Sequence, residues 1–135
     1  MLKKILCGLD VGERYIGVAV TDPNRSVVFP KGVWEWKGNE DQLRLHLAFF
    51  LKHYSPEYFV LGMQEFVESS DGAELSRNQV EEVLKSLGFE VKYMDEYVST
   101  IEAKNRVADI EGFEKDRYDD IAAQIILERY LKEYE

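Results

Sequence analysis

A chain of 135 residues is long enough to bury one core and too short for two ordinary domains, so residues 1–135 are expected to form a single domain. With 45% hydrophobic and 32% charged residues the composition is globular, which excludes a disordered or fibrous chain. The net charge of −9 argues against a broad basic surface for non-specific DNA binding, yet leaves room for an acidic site whose carboxylates are offset by bound cations.

The apolar run that follows Lys4 is broken by Gly8 and Asp10, too soon for a secretory signal, and no stretch has the length of a membrane span. Cys7 is the one cysteine, so an internal disulfide is impossible and nothing points to an oxidising compartment. The expectation is a cytoplasmic protein without a membrane partner, a monomer or weak homodimer, with Cys7 packed in its first strand.

In chain order, the alternation of Ile5, Cys7, Leu9 and Val11 predicts a strand, and Tyr15 to Thr21 predicts its hairpin partner across the Gly12-Glu13-Arg14 turn. Val27 to Trp36 predicts a third strand, in which Pro30 and Gly32 mark an edge or a bulge. Asn39 with Gln42 makes a capping-box start for a helix whose stripe is Leu43, Leu47, Phe50, Leu51 and Tyr54, ended by Pro56. The apolar run Tyr58 to Leu61, closed by Gly62, suits a buried parallel strand. Asp71-Gly72 reads either as part of a substrate loop or, preferred, as a turn ahead of a helix carried by Val80, Val83, Leu84 and Leu87, with Gly88 as its C′ residue.

Phe89 to Met94 predicts the fifth strand. A second capping box, Ser99 with Glu102, begins a helix with Val98 and Ala103 as a hydrophobic staple, and the last helix runs from about Tyr118 to Tyr134. The fold class is therefore α/β, with a five-stranded mixed sheet of three antiparallel strands plus two parallel ones, flanked by helices.

The acidic residues carry the chemistry. Asp10 shares strand parity with Leu6 and Gly8, so its carboxylate stands near the centre of the sheet, where it must be paired, hydrogen-bonded or metal-bound. Asp95-Glu96 ends the fifth strand at the carboxyl edge, where α/β folds place ligands. Asp119 opens the final helix, whose stripe of Ala122, Ala123, Ile126 and Tyr130 faces the sheet. Three carboxylates from distant parts of the chain can thus converge, and their hard oxygens suit Mg²⁺ or Mn²⁺. Asp119 taken alone is also what a helix dipole favours in a first turn, and Asp95 and Asp120 read equally as supporting residues or as surface acids.

Lys115 and Arg117 lie next to that helix N-terminus, where the dipole disfavours cations; a phosphate resolves the conflict, and local pairing with Glu114 or Asp116 is the alternative. His46 and His53, seven apart with no matching ligand, read as surface residues. Trp34 and Trp36 share a strand face; they can stack on bases, but packing in a core or interface is preferred. Tyr130, Leu131 and Tyr134 are expected to face the sheet as core.

Several runs of this sequence resemble the YqgF/RuvX family. Leu9-Asp10-Val11-Gly12, Ile16-Gly17-Val18-Ala19-Val20 and Thr21-Asp22 are similar to its opening hairpin, and Val60-Leu61-Gly62 with Asp71-Gly72 to its central strand and loop. Asp95-Glu96 with Ser99-Thr100 matches its fifth strand, and Asp119-Asp120-Ile121-Ala122-Ala123-Gln124 with Ile126-Leu127 its last helix. The resemblance implies an RNase H-like fold and a metal-dependent nuclease, a hydrolase acting on ester bonds, in maturation of the 5′ end of 16S rRNA or in Holliday-junction resolution. It implies a nucleic-acid partner, pre-rRNA or branched DNA, and two Mg²⁺ or Mn²⁺ ions held by Asp10, Glu96 and Asp119. Arg14, Lys115 and Arg117 are the cations expected at the substrate, and Lys115 matches a basic residue of the family.

The chain departs from the family pattern at Gly62-Met63-Gln64, at Tyr97 after Asp95-Glu96, and at Tyr15, each departure removing shape or positive charge from the substrate face. Two other functions compete: a module of the same fold that only binds RNA or the ribosome, and an actin-like nucleotide-binding protein, which needs two lobes and so does not fit this length.

Overall fold

The computed structural model describes residues 3–63, 71–95 and 119–135. Strand β1 (Cys7–Val11) pairs antiparallel with β2 (Tyr15–Thr21), and β2 with β3 (Val28–Glu35). Helix α1 (Glu40–His53) leads to β4 (Tyr58–Met63), parallel to β1; helix α2 (Asp71–Ser86) leads to β5 (Glu90–Asp95), parallel to β4. Helix α3 (Asp119–Tyr134) completes the described elements. The order β3-β2-β1-β4-β5 is the expected antiparallel meander with two parallel additions. The helix expected from Ser99 lies outside the described residues.

Period-two alternation divides the core between the two faces of the sheet. Cys7, Leu9, Val11, Ile16, Val18 and Val20 face α1 and α2, in one cluster with Leu43, Leu47, Val80, Val83 and Leu84. Leu6, Ala19, Val28, Val60 and Met94 face the other way, against Ala123, Ile126, Leu127 and Tyr130 of α3. Cys7 is fully buried as expected, and burial pushes its thiol well above the ordinary value.

Local signals hold where they were read. Asn39 caps α1, its side chain accepting from the Gln42 N–H at 3.1 Å. Gly88, at φ 92°, closes α2 as a Schellman motif: Phe89 N–H donates to Leu84 O and Gly88 N–H to Lys85 O, both at 3.0 Å. β3 is an edge strand and carries the expected bulge. Gly17 pairs with Val33 and Ala19 with Pro30, so Lys31 and Gly32 together oppose Val18, with Gly32 at φ 97°.

Three expectations need correction. Asp71 and Gly72 belong to α2 and are not a turn before it. Tyr134 is 62% exposed, because the stripe that faces the sheet ends at Tyr130 and Leu131. His46 is half-buried: its ring stacks on Trp34 at 5.5 Å and its Nε2 lies 3.0 Å from Glu35 O. Trp36 is fully buried and donates from Nε1 to Gly12 O at 3.0 Å, which ties the end of β3 to the β1–β2 turn. Among the described residues no helix is long and apolar enough to cross a membrane.

Candidate functional site

β1, β4 and β5 run parallel and end on one edge, at Val11, Met63 and Asp95. Asp10 sits one residue before the end of β1, half-buried and on the α3 side by its parity with Leu6 and Gly8. Across the ladder it is paired with Gly17, and Gly17 with Val33. Directly paired residues point to the same face. The space a side chain would take at Gly17 is occupied by the backbone of Asp119: a Cβ there would overlap the Asp119 carbonyl.

This contact puts the backbone of Asp119 against the strand position paired with Asp10. The first turn of α3 rests on a gap in β2 directly across from Asp10, on the same face of the sheet. Glycine inside a strand is what such a close approach of backbone to backbone requires. The platform continues below it, since a Cβ on Gly8 would stand 3.1 Å from Leu127 Cβ and 3.2 Å from Ala123 O. Gln124 Nε2 donates to Val28 O at 3.1 Å, and the hydroxyls of Tyr58 and Tyr130 lie 2.9 Å apart, so α3 is fixed laterally as well as in depth.

Asp119 and Asp120 occupy the first turn, where the helix dipole favours negative charge. The Oδ2 atom of Asp119 is buried. Both Asp10 and Asp119 have polar or electrostatic interactions within the fold. A half-buried carboxylate facing a helix start with a buried carboxylate oxygen suits a hard divalent cation. Glu96, Lys115 and Arg117 lie outside the described residues, and among the described residues no group of three or more His, Cys, Asp and Glu is arranged to hold a metal.

Arg14 lies on the β1–β2 turn, 61% exposed, with Nε 3.8 Å from Glu35 Oε2 and its guanidinium 5.5 Å from the Tyr15 ring. Lys37 Nζ is 3.3 Å from Glu35 Oε1. A hydrogen bond from the Tyr15 hydroxyl, then one from Lys37, holds the Glu35 carboxyl below the usual range. Tyr15 thus orders an acid between two cations at the end of the edge strand β3.

Sequence reasoning missed Gly17, although a lone glycine between Ile16 and Val18 in an apolar strand is itself a sign of close approach.

A family model described as "RuvX: Holliday junction resolvase" matches residues 4–133. A Lactococcus lactis subsp. cremoris (strain MG1363) protein named "Putative pre-16S rRNA nuclease" is 34% identical over 137 residues, covering 97% of this chain and 95% of the relative. A Streptococcus equi subsp. zooepidemicus (strain H70) protein of the same name is 33% identical over 135 residues, covering 93% and 96%. Among solved structures, Thermus thermophilus RuvC in complex with a Holliday junction substrate superposes with a TM-score of 0.62 at 16% identity, covering 96% and 95% of the two chains. The fowlpox virus Holliday junction resolvase gives 0.53 at 16% identity, covering 95% and 97%. At that identity the likeness speaks for the fold, which is RNase H-like.

Proposed function

Because this chain belongs to the RuvX (YqgF) family, we propose that it is a metal-dependent nuclease that hydrolyses nucleic-acid phosphodiester bonds, acting in 5′-end processing of pre-16S rRNA. The names of the relatives at 33–34% identity support the RNA role. The observation that carries the chemistry is the seat of Asp119 on Gly17, cross-strand from Asp10.

In this reading Asp10, Glu96 and Asp119 hold two Mg²⁺ or Mn²⁺ ions. Glu96 is assigned with the other two on the resemblance of Asp95-Glu96 to the family's fifth strand. Bound divalent cations supply an activated water, neutralise charge on the pentacovalent phosphorus and stabilise the leaving oxygen. The chain's part is to fix the acids. Asp10 is held by a strand paired on both sides, and Asp119 by a helix that cannot slide without lifting off Gly17. Lys115, Arg117 and Arg14 hold non-bridging phosphate oxygens of the substrate.

A second reading, resolution of Holliday junctions, is favoured by the description of the matching family model. Incubating wild type and Asp10→Asn with precursor 16S RNA ends and with a four-way DNA junction, under the same Mn²⁺ conditions, tests both. Cleavage of the RNA that vanishes in Asp10→Asn supports the proposal, and cleavage of the junction alone replaces it with the second reading. A protein that binds RNA without cutting either substrate, and shows no carboxylate-dependent Mn²⁺ site on titration, is a binding module.

A further inference from the structure

On the face of the sheet away from Asp10 and Asp119, a groove of about 310 Å³ opens between α1 and the edge strand β3. Its walls are aromatic. The Trp34 and His46 rings stack at 5.5 Å with planes 4° apart, Phe50 and Tyr54 stack at 4.8 Å, and Phe49 meets His53 edge to face at 5.1 Å. Phe49 is 68% exposed and Leu45 72%, so α1 leaves apolar side chains at the mouth of the groove. The bulge in β3 presents Lys31 at the other side, with Nζ 5.9 Å from the Tyr54 ring.

The charge of this groove is opposite to that of the chain. Acids outnumber Lys and Arg by 26 to 17 overall, yet among the described residues that line the groove the one formal charge is that of Lys31 and there is no Asp or Glu. Flat rings beside the ammonium of Lys31, with no acid among the described lining residues, suit a planar apolar body joined to an anion. The volume is at the small end of the roughly 300–1,000 Å³ of ligand pockets, whereas a stable protein interface buries about 800 Å² on each partner. The fit is to a single nucleotide.

Register relates the groove to the candidate site. Val33, Gly17 and Asp10 form one row of the sheet on the α3 side; Trp34, Ile16 and Val11 form the next, on the α1 side. The two sites are therefore neighbours in register with the sheet between them. Among the described residues, a nucleic-acid strand reaching from one to the other must round the edge strand β3 or the turn that carries Arg14. A flexible single strand can do so; a duplex, with a persistence length of about 150 base pairs, cannot.

We propose that this groove is a second nucleic-acid site that takes one unpaired nucleotide of the substrate, its base against the Trp34, Phe49 and Tyr54 rings and its phosphate on Lys31 and His53. The substrate class is then nucleic acid with a single-stranded segment beside the cut. This identification of the strand rests on the nuclease reading, while the binding chemistry stands apart from it.

The test is fluorescence anisotropy of a labelled single-stranded oligouridine and of a blunt duplex, in EDTA so that the acidic site makes no metal-dependent contribution. Wild type should prefer the single strand, with a change in tryptophan emission from Trp34. Phe49→Ala and Lys31→Ala, both at exposed positions, should each weaken binding by about fivefold or more, the lower range for loss of a base-stacking ring.

Unchanged affinity in both variants, or equal affinity for the duplex, overturns the proposal. So does a Phe49→Ala protein that changes oligomeric mass without changing affinity, since the groove would then join two copies of the chain. Groove-dependent binding without Mn²⁺-dependent cleavage sustains the groove and defeats the nuclease reading. Asp10-dependent cleavage with unaltered binding in the variants defeats the groove alone.

Discussion

Gly17 and Asp119 are in backbone contact: the middle of β2 has no side chain on the α3 face at the point where the first turn of α3 comes down. Asp10 is the residue directly across the ladder from Gly17, so the Asp119 backbone rests on the strand position paired with Asp10.

Gly17→Ala should therefore act at the site and not only on the core. The added methyl must lift the start of α3, an overpacking that costs about 1–3 kcal/mol. Gly8→Ala is the comparison, because its methyl would press on Ala123 and Leu127 one to two turns further along the same helix. Both variants should melt earlier than wild type. At a temperature where both are folded, Gly17→Ala should lose Mn²⁺ affinity in calorimetric titration and Gly8→Ala should keep it. Equal Mn²⁺ affinity in the two would show that the Gly17 contact is packing alone.

Asp10→Asn separates catalysis from stability in the other direction. Clustered acids repel one another without a cation, so neutralising one should leave the metal-free protein as stable as wild type or more so, while Mn²⁺-dependent cleavage disappears. Thermal melts in EDTA and a cleavage assay read the two effects. Lost stability with retained cleavage would make Asp10 a structural residue.

The parts of this fold that were legible in the sequence rest on local rules. Alternation placed Leu6, Gly8 and Asp10 on one face, the Asn39 and Gln42 pair started α1, and Gly88 ended α2. What was not legible depends on partners far away in the chain. Gly17 is diagnostic only once α3 lies on it, and His46 is half-covered because Trp34, on the third strand, offers it a face. Tyr134 fits the sheet-facing stripe by spacing, but the buried part of that stripe ends at Tyr130 and Leu131. Asp71-Gly72 has the composition of a turn, yet in the structure both are helical and Gly72 packs beside the Glu13 side chain.

Arg25 clamps Lys4, Glu57 and Glu135 together at the other end of the molecule. Its side chain is 6% exposed and donates from Nη1 to Glu135 Oε1 and from Nη2 to Glu57 Oε2, each at 2.6 Å, and from Nε to Lys4 O at 3.0 Å. The hydrogen bond from Arg25 holds the Glu135 carboxyl below the usual glutamate range. A folded value below the unfolded one gives stability that is complete above the unfolded value and is lost as pH falls through the folded one. Arg25→Ala should lower stability by about 1–3 kcal/mol near neutral pH, with the gap to wild type closing as pH falls through and below the glutamate range. Melts between neutral pH and pH 3 measure it. A gap that stays constant would assign the effect to the Arg25 stem over the Tyr58 ring, 5.8 Å away, and not to charge.

A chain of net charge −9 has few side-chain cations with which to hold a polyanion. Arg14 is already within 3.8 Å of Glu35, and the other candidate cations for the scissile phosphate are Lys115 and Arg117, which precede Asp119 in the sequence. Few side chains then replace counterions, and divalent metal supplies much of the attraction. At fixed divalent concentration the slope of log affinity against log salt should be shallow, on the order of two to three contacts. Lys115→Ala and Arg117→Ala should each weaken binding and flatten the slope by roughly one contact, while Lys132→Ala, in the last turn of α3, should do neither. A substrate with an unpaired segment should show about one contact more than a blunt one, and Lys31→Ala should remove that increment and leave the blunt substrate as it was. Unchanged slopes in the Lys115 and Arg117 variants would mean that the phosphate path does not cross the segment before α3. The positive charge at the cut would then have to come from metal alone.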